Sequence, residues 1–344
     1  MGKAAIYNPY LNTLGGGERY TITFAKVLAE AGFDVDIEWS DSGILNKISE
    51  RFGIKIPKNI KVVDTINRGE NYDLCFWVSD GSMPMLRSSK NYIHFQVPFK
   101  NVNGRSLLNK MKLFRVNKII CNSNFTKSII DAEFGVKSEV LYPNVDINNI
   151  KPKRKENIIL YVGRFSSLLQ SKGQDLLIQE FKKIYDSGLS SWKLVLAGGT
   201  EVGSDKILAK LNSLRVGYPI EIVESPTFEA LKNLYGKAKI FWSASGSGVD
   251  AVNNPQKVEH FGMTVVEAMS AGAVPVIVKA GGHCEIIDNS KNGYLWQDVN
   301  ELVEFTKELI NKKGLIGSIS SNAIDSSKKF GYESFKKQVL QIIK

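Results

Sequence analysis

From Lys3 to Val278, short apolar runs alternate with longer stretches of helical apolar spacing, and this alternation constrains the fold more than any other feature. Lys3–Asn8 is apolar and is followed by Gly15-Gly16-Gly17. Glu18–Ala31 then carries Ile22, Ala25, Leu28 and Ala29 at helical spacing and stops at Gly32. Phe33–Trp39, Lys61–Asp64, Leu74–Val78, Tyr92–Phe95, Lys118–Cys121 and Glu139–Tyr142 are strand candidates, and Phe125–Phe134 reads as a helix closed by Gly135. Strands interleaved with helices need crossover connections, which make the strands parallel and cover both faces of the sheet.

The segment 151–157, KPKRKEN, interrupts the pattern: it is charged, contains a proline and lacks apolar residues. The alternation then restarts, with strands at Ile158–Val162, Lys193–Ala197, Ile220–Val223, Ile240–Ser243 and Val274–Val278. Helices are expected at Asp175–Tyr185, Asp205–Leu214, Phe228–Gly236 and Met263–Ala271, with closing helices at Glu301–Asn311 and Tyr332–Ile343. A chain of 344 residues exceeds the size at which one core usually stops growing. The expectation is therefore an α/β protein of two doubly wound, Rossmann-like domains, 1–150 and 158–325, joined by the linker 151–157 and followed by a C-terminal segment 326–344.

With 43% apolar and 23% charged residues the chain has material for two ordinary cores. No window approaches a membrane span. The apolar run at the N-terminus is too short and broken for a signal peptide, and Ile6 breaks the myristoylation pattern. Cys75, Cys121 and Cys284 are few and scattered, and are expected to be reduced, buried thiols of a cytoplasmic protein. The net charge of +10 is unevenly placed. Between Asp80 and Asp131 there is no acidic residue, while Arg87, Lys90, Lys100, Arg105, Lys110, Lys112, Arg115, Lys118 and Lys127 all fall there. Such a stretch attracts anions.

The chemistry is concentrated in Glu259-His-Phe-Gly-Met-Thr-Val-Val-Glu267 and the AMSAGAVPVIV that follows. Two carboxylates flank a Phe-Gly turn, the second lying in the first turns of a helix that leads to an apolar strand. A helix starting near Met263 directs free N–H groups and its positive dipole end at whatever lies beside Phe261, Gly262, Met263 and Thr264, which suits a phosphate. The carboxylates suit sugar and ribose hydroxyls.

This block resembles the signature of glycosyltransferase family 4, retaining enzymes of the GT-B fold. In the form EHFGMTVVEAMSAG it is similar to the mannosyltransferases of lipid-linked oligosaccharide assembly. The resemblance runs from Gly15 to about Ile287. It implies that Arg164, after the strand ending in Gly163, and Lys172 bind the donor diphosphate; two cations neutralise a leaving diphosphate without a metal. It implies that Glu259 orients the sugar hydroxyls and Glu267 holds the ribose. It also implies front-face attack, in which the leaving phosphate takes the acceptor's proton and no side chain acts as covalent nucleophile. Gly15, Gly16 and Gly17 resemble the family's glycine-rich loop near the sugar or phosphate, although a plain turn explains them equally well and the GxGxxG spacing of a nicotinamide site is missing. Gly198-Gly199 and Ser225-Pro226 match loops around the nucleotide. Gly281, Gly282, His283 and Glu285 match a loop near the donor, and His283 is at a position where relatives vary. His94, near the end of the strand NYIHF, has two readings, a structural histidine or a residue beside the transferred sugar. The C-terminal helix is expected to pack on the N-terminal domain, as in relatives.

Asp34-Val35-Asp36 imitates the metal-binding DxD of another glycosyltransferase fold. It sits in the alternating FDVDIEW, which places both carboxylates on the solvent face of a strand. No metal or other cofactor is expected. SLLNKMKLFRVNK interleaves Leu107, Leu108, Met111 and Phe114 with Lys110, Lys112 and Arg115. Two readings fit this part of 100–118: a helix on an anionic membrane surface, or a half-buried helix with a solvated basic face. No nucleic-acid module is recognisable, and no nucleic-acid partner is expected.

The expected function is transfer of a hexosyl unit, with mannose from GDP-mannose favoured and a UDP-sugar as the other donor, to a glycan or lipid-linked acceptor at the cytoplasmic face of a membrane. The competing readings are a GT-B nucleotide-sugar epimerase or phosphorylase and a non-catalytic membrane-surface scaffold.

Overall fold

The computed structural model describes residues 2–166, 172–200 and 203–344. They divide into two units, one formed by Met1–Asn144 with Tyr332–Lys344 and the other by Val145–Gly331. The chain changes unit at Asn144/Val145, before the charged segment 151–157, and Glu156 and Asn157 already run in a strand.

The first unit contains β1 (Lys3–Tyr7), α1 (Gly16–Glu30), β2 (Asp34–Glu38), α2 (Ile44–Phe52), β3 (Ile60–Val63), β4 (Leu74–Val78), β5 (Lys90–Phe95), α3 (Leu107–Leu113), β6 (Lys118–Cys121), α4 (Asn124–Phe134) and β7 (Glu139–Val140). Its seven strands are parallel in the order β3-β2-β1-β4-β5-β6-β7. Local sequence sets the helix ends. Ser123 caps α4 by accepting the Thr126 N–H at 3.0 Å, and Gly135 ends it at φ 67°.

The second unit contains β8 (Glu156–Val162), α5 (Gln174–Asp186), β9 (Lys193–Gly198), α6 (Ser204–Leu214), β10 (Ile220–Glu224), α7 (Phe228–Lys237), β11 (Ala238–Ser243), α8 (Met263–Ser270), β12 (Val274–Val278), α9 (His283–Ile286), β13 (Tyr294–Trp296), α10 (Val299–Asn311) and α11 (Leu315–Ser327). Its six strands are also parallel, in the order β10-β9-β8-β11-β12-β13. The run Val274–Val278 is buried throughout, as befits a strand covered on both faces. The chain then returns to the first unit as α12 (Tyr332–Ile343). There Phe335, Val339 and Ile342 join the core of Ile6, Phe24 and Phe76, and Lys336 Nζ donates to Glu30 Oε2 at 2.6 Å.

Two expectations are corrected. Cys75 and Cys121 are buried but Cys284 is exposed, because α9 turns His283 and Ile286 inward and leaves the position between them outside. Leu107, Leu108, Met111 and Phe114 face solvent and no residue of α3 is buried, so α3 is not a half-buried helix with a basic outer face. Leu113 alone of its apolar residues packs against the core of Phe95, Ile130 and Phe134. Among the described residues no helix is long and apolar enough to cross a membrane.

Candidate functional site

In the second unit the strand order reverses between β8 and β11. Loops on the two sides of such a point leave in opposite directions and open a crevice at the carboxyl ends of the strands. The residues singled out in the sequence come from the loops at that edge. Arg164 follows β8, Gly198 ends β9, Ser225 follows β10, and Glu259, Phe261 and Gly262 precede α8, which begins with Met263 and Thr264.

The loops are locked together by backbone approaches that only glycine permits. A β-carbon on Gly198 would lie 1.9 Å from the Gly163 carbonyl oxygen, so the turn carrying Arg164 rests directly on β9. Ser225 donates its N–H to the Gly198 carbonyl at 2.7 Å and adopts φ 44°. Gly173, at φ 65°, lies against Ala244 after β11 and starts α5, which fixes where Lys172 leaves the chain. Gly281, at φ 55°, would place a β-carbon 2.1 Å from the Glu259 carbonyl, and the Gly282 N–H donates to that same oxygen at 2.8 Å.

These contacts bring together residues far apart in sequence. Lys172 Nζ donates to Glu259 Oε2 at 3.2 Å. Burial alone would raise the Glu259 pKa, but the nearby charges, Lys172 foremost, outweigh it and bring it down to about 2. Glu259 is therefore an ionised hydrogen-bond acceptor at any physiological pH. His283 is fully buried beside it, and its Nδ1–H donates to the Val278 carbonyl at 3.0 Å. Burial lowers its pKa against the pull of Glu259, which keeps the imidazole neutral. Gly262 caps α8 at φ 108°, a left-handed conformation close against the His283 ring. The N–H groups of the first turn of α8 thus point out of the helix at the same edge.

Glu267 lies one turn further along α8 and is 7% exposed. Tyr235 on α7 donates its hydroxyl to Glu267 Oε2 at 2.7 Å. Sequence reading missed Tyr235, since no local pattern connects it to a carboxylate 32 positions later. Phe261 turns its side chain into the interior, where its ring meets Phe330 edge-on at 5.2 Å, so it can offer a ligand only its backbone. Arg164 is exposed, and its carbonyl accepts from Gln174 Nε2 at 3.0 Å.

In the first unit the glycine run begins α1. The Gly15 N–H donates to Glu18 Oε2 at 2.7 Å, and the Thr13 hydroxyl donates to the same oxygen at 2.7 Å. The Glu18 carboxylate thus closes a capping box at the start of α1. A β-carbon on Gly17 would lie 2.0 Å from Gln96 Oε1, so a larger residue there would have to displace the end of that side chain. Gln96 is a second residue that no sequence pattern singles out. His94 is fully buried, its ring stacked 4.2 Å from Tyr20, with Nδ1 3.1 Å from the Ile120 carbonyl. Burial lowers its pKa to about 3. The ring lies under Tyr20 of α1, with its Nε2 buried and without a hydrogen-bond partner among the described residues. Asp34 is exposed, and Asp36 accepts the Tyr72 hydroxyl at 2.9 Å. Among the described residues no group of His, Cys, Asp and Glu is arranged to hold a metal ion.

The family model described as "Glycosyl transferases group 1" matches residues 145–326, nearly the whole second unit. Among curated proteins, a GDP-Man:Man(3)GlcNAc(2)-PP-Dol alpha-1,2-mannosyltransferase of Dictyostelium discoideum is 26% identical over 238 residues, covering 64% of this chain but 45% of that protein. The chain thus spans about half the length of this relative. The alpha-1,3/1,6-mannosyltransferase ALG2 of Candida glabrata is 23% identical, with 91% of this chain and 85% of that protein covered. Among solved structures, Anabaena Alr3699/HepE in complex with UDP and glucose superposes with a TM-score of 0.78 over 99% of both chains at 17% identity.

Proposed function

This chain belongs to the glycosyl transferases group 1 family and has the GT-B fold of two Rossmann-like units, and from that premise we propose that it transfers a sugar from a nucleotide-sugar donor to an acceptor with retention of anomeric configuration. The observation that carries the reading is the ion pair of Lys172 and Glu259 beside the start of α8. It puts a cation, an ionised carboxylate and a ring of outward N–H groups at one strand edge, the equipment needed to hold a sugar diphosphate.

In this reading Arg164 and Lys172 take the diphosphate and stabilise its charge as the bond to the sugar breaks. The N–H groups of Met263 and Thr264 add their dipole to that clamp. Charge neutralisation is thereby assigned to side chains and backbone rather than to a metal. Glu259, held ionised, accepts hydrogen bonds from sugar hydroxyls, and Glu267, oriented by Tyr235, accepts from the ribose. The backbone at Gly198 and Ser225 borders the nucleotide. No side chain is assigned as a covalent nucleophile: the leaving phosphate takes the acceptor's proton on the same face.

The donor favoured is GDP-mannose, because the relative of Dictyostelium discoideum is named for that donor; UDP-sugars are the second class, since the HepE complex contains UDP and glucose. The acceptor favoured is a glycan or a lipid-linked glycan. The test offers GDP-mannose, UDP-glucose and UDP-N-acetylglucosamine with a lipid extract as acceptor source, follows nucleoside diphosphate release, and reads the product's anomeric configuration by NMR. Acceptor-dependent release from one donor with retained configuration is expected, together with a loss of about a hundredfold or more in Glu259→Gln. An inverted product overturns the retaining mechanism, and no acceptor-dependent release from any donor overturns transfer.

A further inference from the structure

Leu107, Leu108, Met111 and Phe114 are 77%, 58%, 55% and 90% exposed, and all four belong to α3 or its C-cap. Among the described residues the other exposed large apolar ones, Tyr10, Val216 and Val252, stand singly, as is ordinary on a protein surface. At helical spacing the four side chains fall within an arc of about 120°, one continuous face.

That face is held outward from behind. The Glu133 carboxylate on α4 accepts the N–H groups of Asn101, Val102 and Gly104 at 3.0, 3.0 and 3.1 Å. The Arg105 guanidinium donates twice to the Ala132 carbonyl, at 3.0 and 2.8 Å. Gly104 lies so close to α4 that a β-carbon would come 2.7 Å from the Glu133 carbonyl. On the helix itself Ser106 caps the first turn, Lys112 Nζ donates to the Met83 carbonyl at 2.6 Å, and Leu113 packs inward. Rotating the apolar residues under cover would break these contacts.

The surroundings are cationic. Lys110 and Lys112 lie on the helix, Arg105 precedes it, Arg115 follows, and the acid-free stretch extends from Asp80 to Asp131 on both sides. The element behind carries two acids, Asp131, which is paired with Lys127, and Glu133, whose oxygens are engaged by three N–H groups. Four side chains on a two-turn helix cover far less than the area of about 800 Å² per partner that stable protein interfaces bury. A narrow apolar face rimmed by Lys and Arg fits a shallow seat in an anionic bilayer, with apolar tips at the acyl boundary and cations among the headgroups.

We propose that α3 is a peripheral membrane anchor, docking the first unit on an anionic lipid surface through Leu107, Leu108, Met111 and Phe114. The claim does not depend on the transferase reading.

The test is co-sedimentation of the full chain with vesicles of phosphatidylcholine alone or mixed with phosphatidylglycerol, at low and high salt, with light scattering of the protein alone. Binding to the anionic vesicles, weaker to the neutral ones and reduced by salt, is expected. The double variant Leu107→Ser/Phe114→Ser should bind about tenfold or more weakly. Lys110→Glu should weaken binding to the anionic vesicles alone. Both changes are on exposed positions, and an unchanged thermal transition shows that the fold is intact. Failure of the wild type to bind either vesicle, or equal binding by the double variant, overturns the proposal. So does a wild-type dimer that the double variant dissociates, since the face would then join two copies.

Discussion

Glu259 owes its charge to Lys172, so the two residues answer differently to substitution. Glu259→Gln leaves the lysine with a polar neighbour, and is expected to impair turnover far more than stability. Lys172→Met leaves a carboxylate beside a buried histidine without its main counter-charge. The pair is 17% and 26% exposed, so the cost should be about 1–3 kcal/mol, less than the 3–5 kcal/mol of a fully buried pair; urea unfolding measures it. Tyr235→Phe removes a hydroxyl from the buried Glu267 carboxylate and should cost about 1.5–3 kcal/mol of stability. If Tyr235 orients Glu267 for the ribose, its KM for the donor should also rise with little change in kcat. His94 makes a pH prediction. Its pKa falls from 6.5 to about 3 on folding, so between these values the unfolded chain binds a proton that the folded chain does not. Stability then rises with pH through that window and is lost as pH drops below 6.5. His94→Phe keeps a ring against Tyr20, and should reduce the slope of unfolding free energy against pH by up to about 1.4 kcal/mol per unit between pH 4 and 6.

At the scale of elements, the site is a set of loops held against one another by glycines. Gly198→Ala forces a β-carbon into the Gly163 carbonyl and should displace the turn that carries Arg164. A lower melting temperature together with weaker nucleotide binding is expected, and an unchanged affinity would mean that this turn does not hold the donor. Much of this layer was legible in the sequence. Runs such as Leu74–Val78, Lys118–Cys121 and Val274–Val278 are strands because β-branched and apolar residues follow one another between turn residues. What was missed depends on tertiary contact. Helix α11, LIGSISSNAIDSS, is too rich in serine to announce itself. It forms where Ile319 and Ala323 are buried and the Ser320 hydroxyl donates to the Gly272 carbonyl at 2.8 Å, at the end of α8. The outward turn of α3 was equally hidden, since an amphipathic stripe does not say which side the core lies on. The hold of Tyr235 on Glu267, and the place of His94 under α1, are likewise facts of packing that no spacing encodes.

At the scale of the molecule, the chain crosses between its units near Asn144 and again near Gly331, and the family match lies almost entirely within the second. That unit has its own sheet and core and carries Arg164, Lys172, Glu259 and Glu267. A fragment 145–331 is expected to fold and to bind the donor nucleotide, as judged by a cooperative melt shifted by ligand. Removing 332–344 from the full chain should instead uncover the first unit's core around Tyr20 and Phe24, where Phe335 and Val339 are packed, and make that unit unstable or insoluble. The central claim, a nucleotide-sugar site built on Arg164 and Lys172, is tested most directly by the thermal shift with GDP, UDP and ADP in the wild type and in Arg164→Ala. Saturation at about a hundredfold over Kd stabilises by about 2.7 kcal/mol, an upward shift of a few degrees. The account predicts such a shift for one of these nucleotides and its loss in the variant at the same concentration. No shift with any of the three, or an equal shift in Arg164→Ala, would contradict it.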